Sequence, residues 1–573
     1  MPKGTSRRAL THPINFPTVL EHLPNEIIIS IFSYLTGIDL VLAFANLNSR
    51  FHSLTNQYAY FFDFKSISKT KFDFIFAQQQ TNRSWKSLQI CNNKDETPGQ
   101  IQYFCKFHSL ANTCPQLQSL SLLDIQDIYK NEDLLVQLLS CTPNLQSLTV
   151  KPICATILSQ FQPSQLKRLV IHSCRNLVWM TELRQLENLE YTTADVDCTC
   201  AAVFAWPLSL ERLQVIFTRN EDLRMLQSSF VHLSQLTVLE IYQNAQIPVS
   251  ASHTIGEVWQ QLISSCFPLL REFRFYFYLR LMSTVESITQ SFSTPFYLLE
   301  RRWFVRCEKF SEYSTYTYSM DYNAYASLYS LPLLFQPSIT MINGFCVTSI
   351  SSTLPKDLNN DLLYPNRFSN TKNLVLDRNP TYLDENFRHN NLTHLTVRNS
   401  FASHEWMQVL TKLRQLSLTK NARISSDSFH YLLDHAPELD TLVIDCNLLQ
   451  ILTDSWTHTA ICDHLSKKIR HLKFHSANNA RECFNKHKLS GMLPVFASKC
   501  EHLSLSIQSK LDLVIMTLKR MKRLHSLHVH MSEKEHLPMT MDWFDEHKTK
   551  FNYWSSFLVR EDQDYYFWLS KRI

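Results

Sequence analysis

Glycine is scarce in this chain. Only six occur in 573 residues, at positions 4, 37, 99, 256, 344 and 491, and no two lie within six residues of one another. Phosphate-cradling loops need closely spaced glycines so that backbone amides can approach the ligand. A P-loop and a dinucleotide fingerprint are therefore excluded, and so is the G-x-S-x-G turn that exposes a nucleophilic serine. Paired cysteines are missing as well. The fifteen cysteines are scattered, and only Cys198 and Cys200 are near neighbours, so the expectation is free thiols in a reducing compartment and no metal. Charge of one sign is lacking: the net charge is +5, too mild to argue for nucleic acid. No apolar run approaches the roughly 18 residues of a membrane span. The first twenty residues carry Lys3, Arg7 and Arg8 without an apolar segment, which reads as a basic tail and not a signal peptide. The expectations are no membrane, no cofactor, no catalytic constellation and hence no enzyme, in the cytoplasm and/or nucleus.

What is abundant is leucine in a fixed phrase. An apolar residue, two variable positions, a Leu or Phe, one variable position and another apolar residue recur from Trp85 onward. Leu117-Gln-Ser-Leu120-Ser-Leu122 and Leu439-Asp-Thr-Leu442-Val-Ile444 are examples. The phrase is centred on residues 88, 120, 148, 169, 213, 239, 273, 374, 395, 416, 442, 472, 503 and 527, mostly 21 to 34 residues apart. Its L-x-L core is a short strand whose leucines point to one side. The residues between phrases supply a covering helix. A single unit cannot bury its apolar face, but a stack can, and this period with this core is the signature of leucine-rich repeats. The fold class expected is α/β: a solenoid with a parallel sheet on its concave face and helices on its convex face, in one continuous curved sheet. Between 273 and 374 the phrase lapses. Trp303-Phe-Val305-Arg-Cys307 reads as the strand of a degenerate unit. Residues 311–370, with Tyr313, Tyr316, Tyr318, Tyr322, Tyr325 and Tyr329, read as an insertion packing onto the array or as distorted repeats.

Residues 23–54 are unlike the rest. Pro24 suits a first helical position. Ile27, Ile28, Ile31, Phe32 and Leu35 share one helical face. Thr36 and Asp39 have the spacing of a capping box, and Leu40, Ala43, Phe44 and Leu47 mark a second amphipathic helix. Asn46 or Asn48 can start a third, with Phe51, Leu54 and Tyr58 on one side. Three helices in so few residues carry more apolar surface than one small core hides, so the unit calls for a partner. Leu23-Pro24-x-Glu26-Ile27, Ile31, Tyr34-Leu35, Asp39-Leu40 and Ala43 together resemble an F-box, with Phe51 standing near the place of the family's usual Trp.

The expected organisation is a disordered basic tail at 1–18, an all-α three-helix F-box at 19–58, a connecting helix and strand at 59–81, and the array at 82–573. The resemblance implies docking on the adaptor subunit of a cullin-RING ubiquitin ligase, with Leu23, Pro24, Ile27, Ile31, Leu35 and Leu40 making that contact or holding its shape. It also implies that the repeats bind an unidentified target protein for ubiquitination. Strand alternation puts His394, Arg398, His471, Lys473, His475, His502, His528 and His530 on the concave face, a cationic patch for an acidic or phosphorylated target favoured by protonation near or below pH 6.5. The competing reading is a scaffold unrelated to ubiquitin, in which the helical unit merely caps the array.

Overall fold

The computed structural model describes residues 20–78, 85–107, 115–125, 132–151, 165–174, 189–196, 206–217, 230–243, 249–251, 254–281, 283–311, 325–332, 339–341, 346–355, 372–376, 392–399, 410–475, 484–508, 511–531, 539–547, 553–561 and 563–571. The tail at 1–18, Cys198 and Cys200, and Tyr313, Tyr316, Tyr318 and Tyr322 lie outside the described residues.

The described chain opens on three short helices: α1 (Asn25–Phe32), α2 (Gly37–Phe44) and α3 (Ser49–Tyr58). Side chains satisfy the first free amides of α2 and α3. Thr36 Oγ1 accepts from Asp39 N at 3.1 Å and Asn48 Oδ1 accepts from Phe51 N at 3.0 Å. Pro24 is the N-cap of α1 and not its first helical residue, a place equally indifferent to a missing N–H. The inward face of α2 is rotated from the expected one: Ile38, Leu40 and Val41 are buried, with Ala45 after them, and Leu47 is 53% exposed.

Gly37 brings this unit against the body. A Cβ there would stand 2.8 Å from the Phe61 carbonyl oxygen and the Phe62 ring, so only glycine permits the approach. Phe62 in turn stacks on Trp85, with ring centroids 4.1 Å apart. The segment expected to be a connector holds β1 (Phe61–Asp63) and α4 (Lys69–Gln78). Strand β1 pairs in parallel with β2 (Ser87–Cys91), so the sheet begins at 61 and not at 82. Helix α5 (Gln100–Phe107) follows β2.

Parallel strands then accumulate: β3 (Ser119–Leu123), β4 (Ser147–Val150), β5 (Arg168–Cys174), β6 (Tyr191–Val196), β7 (Arg212–Phe217), β8 (Val238–Gln243) and β10 (Glu272–Leu281), with β9 (Val249–Ala251) pairing β10 off the main path. The L-x-x-L-x-L leucines fall in one register. Leu88, Leu120, Leu148 and Leu169 stand side by side, as do Leu213, Leu239 and Phe273, and all are buried. A residue this buried is worth about 1.5–3 kcal/mol relative to exposure, and the ladder repeats the gain at every unit.

The array does not continue as one sheet. After β10 the neighbours are β12 (Tyr325–Leu331), β11 (Phe304–Ser311) and β14 (Cys346–Ser352), all antiparallel, which ends a thirteen-stranded sheet. Trp303–Cys307 thus leads into an antiparallel strand and not a degenerate parallel unit. Tyr325 and Tyr329 lie on β12, where Tyr278 stacks on Tyr325 at 5.7 Å and Tyr329 donates to buried Glu308 at 2.6 Å.

A second, ten-stranded sheet holds β13 (Ile339–Met341), β15 (Asn373–Leu376), β16 (His394–Val397), β17 (Gln415–Leu418), β18 (Thr441–Ile444), β19 (His471–Phe474), β20 (His502–Ile507) and β21 (Ser526–Met531) in parallel. It finishes on an antiparallel hairpin, β22 (Tyr553–Glu561) and β23 (Asp564–Lys571), where further repeats were expected. Helices such as Ser426–His435, Thr459–Lys468 and Lys486–Phe496 cover its other side, burying Phe429, Leu432, Ile461, Leu465, Leu489 and Leu493.

Candidate functional site

Two regions bear on function: the N-terminal helices and the concave face of the second sheet. In the helices, Ile28 and Phe32 point into the shared core and Phe51 is fully buried against Phe44, with ring centroids 5.5 Å apart. Phe51 therefore fills an interior slot. Of the residues expected at an adaptor contact, Ile27, Ile31 and Leu35 are 48%, 36% and 36% exposed. Pro24 is exposed, Leu23 half-buried and Leu40 buried, so Leu40 holds shape and offers no surface. Tyr34, Leu42 and Leu47 extend the open apolar area. Arg50 is a residue sequence reasoning missed. Its guanidinium donates to the carbonyls of Glu21 and Leu23, both at 2.6 Å, and to Asn25 Oδ1 at 2.9 Å. One charged fork from α3 thereby fixes the backbone that presents Leu23 and Pro24.

The concave histidines are not an open patch. The turn after β2, Asn92–Gly99, reaches into the second sheet and covers His471 and His502. Asn93 Oδ1 accepts from Asp95 N at 2.9 Å and Thr97 Oγ1 donates to Cys91 O at 2.6 Å, which shapes the turn. Asp95 Oδ2 then meets Lys473 Nζ at 2.7 Å and Glu96 Oε1 lies 3.6 Å from His471 Nδ1. The Asp95 carbonyl accepts from Ser526 Oγ and lies 3.3 Å from His502 Nδ1. A cleft of about 370 Å³ remains beside the turn, lined by Asn93, Asp95 and Glu96 on one side and by Thr396, Ser417 and Lys473 on the other. The acidic ligand expected for this face is, in large part, supplied by the chain itself.

His475, His528 and His530 are engaged elsewhere. His528 Nε2 and His530 Nδ1 meet the same Asp564 Oδ1 at 2.9 and 2.8 Å, which ties β23 to β21. Ring His528 also stacks on Tyr566 at 4.3 Å. His475 Nε2 lies 3.1 Å from Leu418 O. His394 and Arg398 alone of the eight are exposed on the sheet away from the turn; Lys473 is exposed but paired.

Apolar contacts carry this seam further. Trp568 of β23 is fully buried and belongs to the N-terminal core, edge-on to Phe72 at 5.3 Å and to Tyr103 at 5.7 Å. Phe557 meets Tyr103 at 5.3 Å. Gly99 has φ +70°, and a Cβ there would come within 2.5 Å of Phe557 and Val559, so both conformation and clearance demand glycine. Buried Lys69 is satisfied by Asp73 at 2.7 Å and Tyr103 OH at 3.1 Å, and Thr70 Oγ1 lies 3.0 Å from Ser570 Oγ. The segment 69–103 and the final hairpin are thus packed against one another.

The seam couples the stability of the fold to histidine protonation. Burial first, then the charges of His471 and His525, push the His502 imidazole well below its ordinary value, and the Asp95 carbonyl offsets little of this. Asp95, Glu96, Lys473 and Glu501 are the other charged groups around it. The unfolded chain takes up this proton near pH 6.5 and the folded chain only at lower pH, so the stability from neutral His502 is full above about pH 6.5 and is lost as pH falls. His530 acts the other way. Its hydrogen bond to Asp564 raises it, against burial, so its contribution is full below about pH 6.5 and is lost as pH rises through the raised value. Because the imidazoles of His394, His464 and His502 are all lowered and that of His530 is raised, the thermal midpoint is expected to fall from pH 7 to pH 5. In His502→Gln that fall should flatten. Thermal scans of both proteins across this range check the expectation, and an equally steep fall in the variant would refute it.

No helix among the described residues is long and apolar enough to cross a membrane. No protein-family model and no curated protein matches the chain. Solved structures similar to it include TLR13 in complex with ssRNA13 and the leucine-rich repeat-containing protein LegL7 from Legionella pneumophila. The first is 14% identical with a TM-score of 0.25, covering 69% of this chain and 62% of that one. The second is 14% identical with a TM-score of 0.22, covering 66% of this chain and 94% of that one. The chain spans about 62% of the length of the TLR13 chain.

Proposed function

We propose that this chain is an interaction protein of the F-box, leucine-rich-repeat kind, in which the N-terminal helices dock on the adaptor subunit of a cullin-RING ubiquitin ligase and the array holds a target protein for ubiquitination. One observation supports the docking above the others. Seven of the sixteen exposed large apolar side chains among the described residues fall between Leu20 and Leu47. Apolar side chains gathered this densely at the surface are expensive to leave in water and mark an interaction site. In this reading the chain performs no chemistry of its own; it supplies proximity, bringing a lysine of the target near the ubiquitin-charged enzyme. The target then meets sheet surface outside the seam, where His394 and Arg398 stand open.

The competing scaffold reading has its own support. Ile28, Phe32 and Phe51 share a core with the first strands, and Gly37 sits against Phe62, so the helices do cap the array. Capping accounts for the buried face of the helices and leaves the open one without a role. The deciding experiment mixes the purified full-length chain with the purified adaptor subunit and measures affinity by interferometry. Binding that weakens at least tenfold in Leu23→Ala/Pro24→Ala supports docking. No binding by the parent chain, or equal binding by the variant, leaves the cap as the function of this unit.

A further inference from the structure

The outer surface of the second sheet carries a cluster that neither the docking face nor the seam uses. Helix Ser426–His435 places His430 and Asp434 one turn apart on the same face. The helix of the next repeat, Thr459–Lys468, sets His464 beside them. His464 Nε2 lies 2.9 Å from Asp434 Oδ1 and His430 Nδ1 lies 3.9 Å from Asp434 Oδ2. The two imidazoles stand edge to face with centroids 5.2 Å apart. One donor atom from each of the three residues falls within 4.8 Å of the others.

We propose that His430, Asp434 and His464 form a binding site for a divalent transition metal of the zinc type, joining two neighbouring repeats. Ligands at zinc distances of about 2.0–2.2 Å in tetrahedral array stand roughly 3.3–3.6 Å apart, and the two imidazoles approach the two oxygens of the Asp434 carboxylate at 2.9 and 3.9 Å, on either side of that range. Two imidazoles with one carboxylate select zinc-like ions over calcium or magnesium, which take oxygen ligands. The three side chains are 35%, 44% and 26% exposed, so an ion can reach them from solvent. His458, whose ring lies 6.2 Å from His430, is not a ligand: its Nδ1 accepts from Ile461 N at 3.4 Å as a helix cap, which leaves the proton on Nε2. Three protein ligands and one water complete the set. Lys468 does not compete for the carboxylate, because its ammonium donates to the carbonyls of Leu433 and Ala436.

Nothing local signals this cluster, because the His464 helix belongs to the next repeat and the His-x-x-x-Asp spacing is common on exposed helices. A second group, Glu501, His502 and His525, also brings donors together. There His502 Nδ1 is already engaged by Ser526 Oγ at 2.8 Å and the imidazole is sealed beneath the Asp95 turn, so it serves as the control. The test uses the full-length chain, stripped with a chelator and dialysed against zinc chloride, with bound zinc counted by elemental analysis. One zinc per chain is expected, lost in His464→Asn and in Asp434→Asn and retained in His435→Asn and His525→Asn. Saturating zinc should raise the thermal midpoint of the parent chain by about 2–5 °C and leave His464→Asn unmoved. Absence of retained zinc in the parent chain, or zinc lost through His525→Asn and kept by His464→Asn, overturns the assignment.

Discussion

Trp568→Ala is expected to open the seam between the segment 69–103 and the final hairpin at a cost of about 3–5 kcal/mol, the range for emptying a buried Trp site. The indole is fully buried and bridges Phe72 and Tyr103, so the cavity falls between two parts of the chain that no covalent neighbour holds together. The polar contacts cannot substitute for it. Lys473 and Asp95 are 47% and 34% exposed, and such a pair contributes about 0–1 kcal/mol. Asp95→Ala also leaves the backbone carbonyl that Ser526 and His502 approach. The measurement is amide hydrogen exchange. Residues 92–99 and 564–571 should exchange roughly 10²–10³-fold faster in Trp568→Ala, whereas β16 to β18 keep their protection. Unchanged exchange at 92–99 would mean that the seam does not depend on this packing.

The second large effect is expected at the other end of the molecule. Ile27→Asp/Ile31→Asp should weaken adaptor binding by at least 100-fold while leaving the fold intact. The two side chains are 48% and 36% exposed, so aspartate costs far less in the free protein than it would at a buried position. In a complex each isoleucine covered by a partner is worth about 1.5–3 kcal/mol, and a buried unpaired carboxylate adds a penalty on top. Two such positions exceed the roughly 2.7 kcal/mol that corresponds to 100-fold. Binding curves with the purified adaptor and far-UV circular dichroism of the same samples separate the two effects. Normal helicity with undiminished affinity would remove the docking proposal, and lost helicity would show that these side chains hold the fold.

The units that carry the repeated apolar phrase were legible in the sequence, and contacts between distant segments were not. A strand lies at every one of the fourteen predicted centres, because each unit must bury the same two apolar positions and says so in its own residues. Strand β6 was missed for a specific reason. Thr192 takes the leucine position there, fully buried, and satisfies its hydroxyl by donating to Leu169 O at 3.0 Å. No hydrophobic phrase marks such a unit. The exposed faces of Ile27, Ile31 and Leu35 were legible as surplus apolar surface on too small a unit. The seam was not. Lys473 and Asp95 are 378 residues apart, and nothing near either one names the other. The single local hint was Gly99, an isolated glycine after Asp95-Glu96-Thr-Pro, whose positive φ and lack of side chain make room for the final hairpin. Alternation correctly placed His471 and Lys473 on the inner face, but a strand pattern reports direction and not what lies opposite.

That the first turn and the last hairpin grip one another also sets how many units this molecule can have. An open stack tolerates gain or loss of a unit, since each touches only its neighbours. Here every added parallel strand inserts about 4.8 Å of sheet between the two ends, more than any hydrogen bond at Asp95 can stretch. Duplication of a single repeat, the ordinary way such arrays grow, would tear Trp568 from its socket. The number of repeats is therefore fixed by closure, as the number of staves is fixed in a hooped cask.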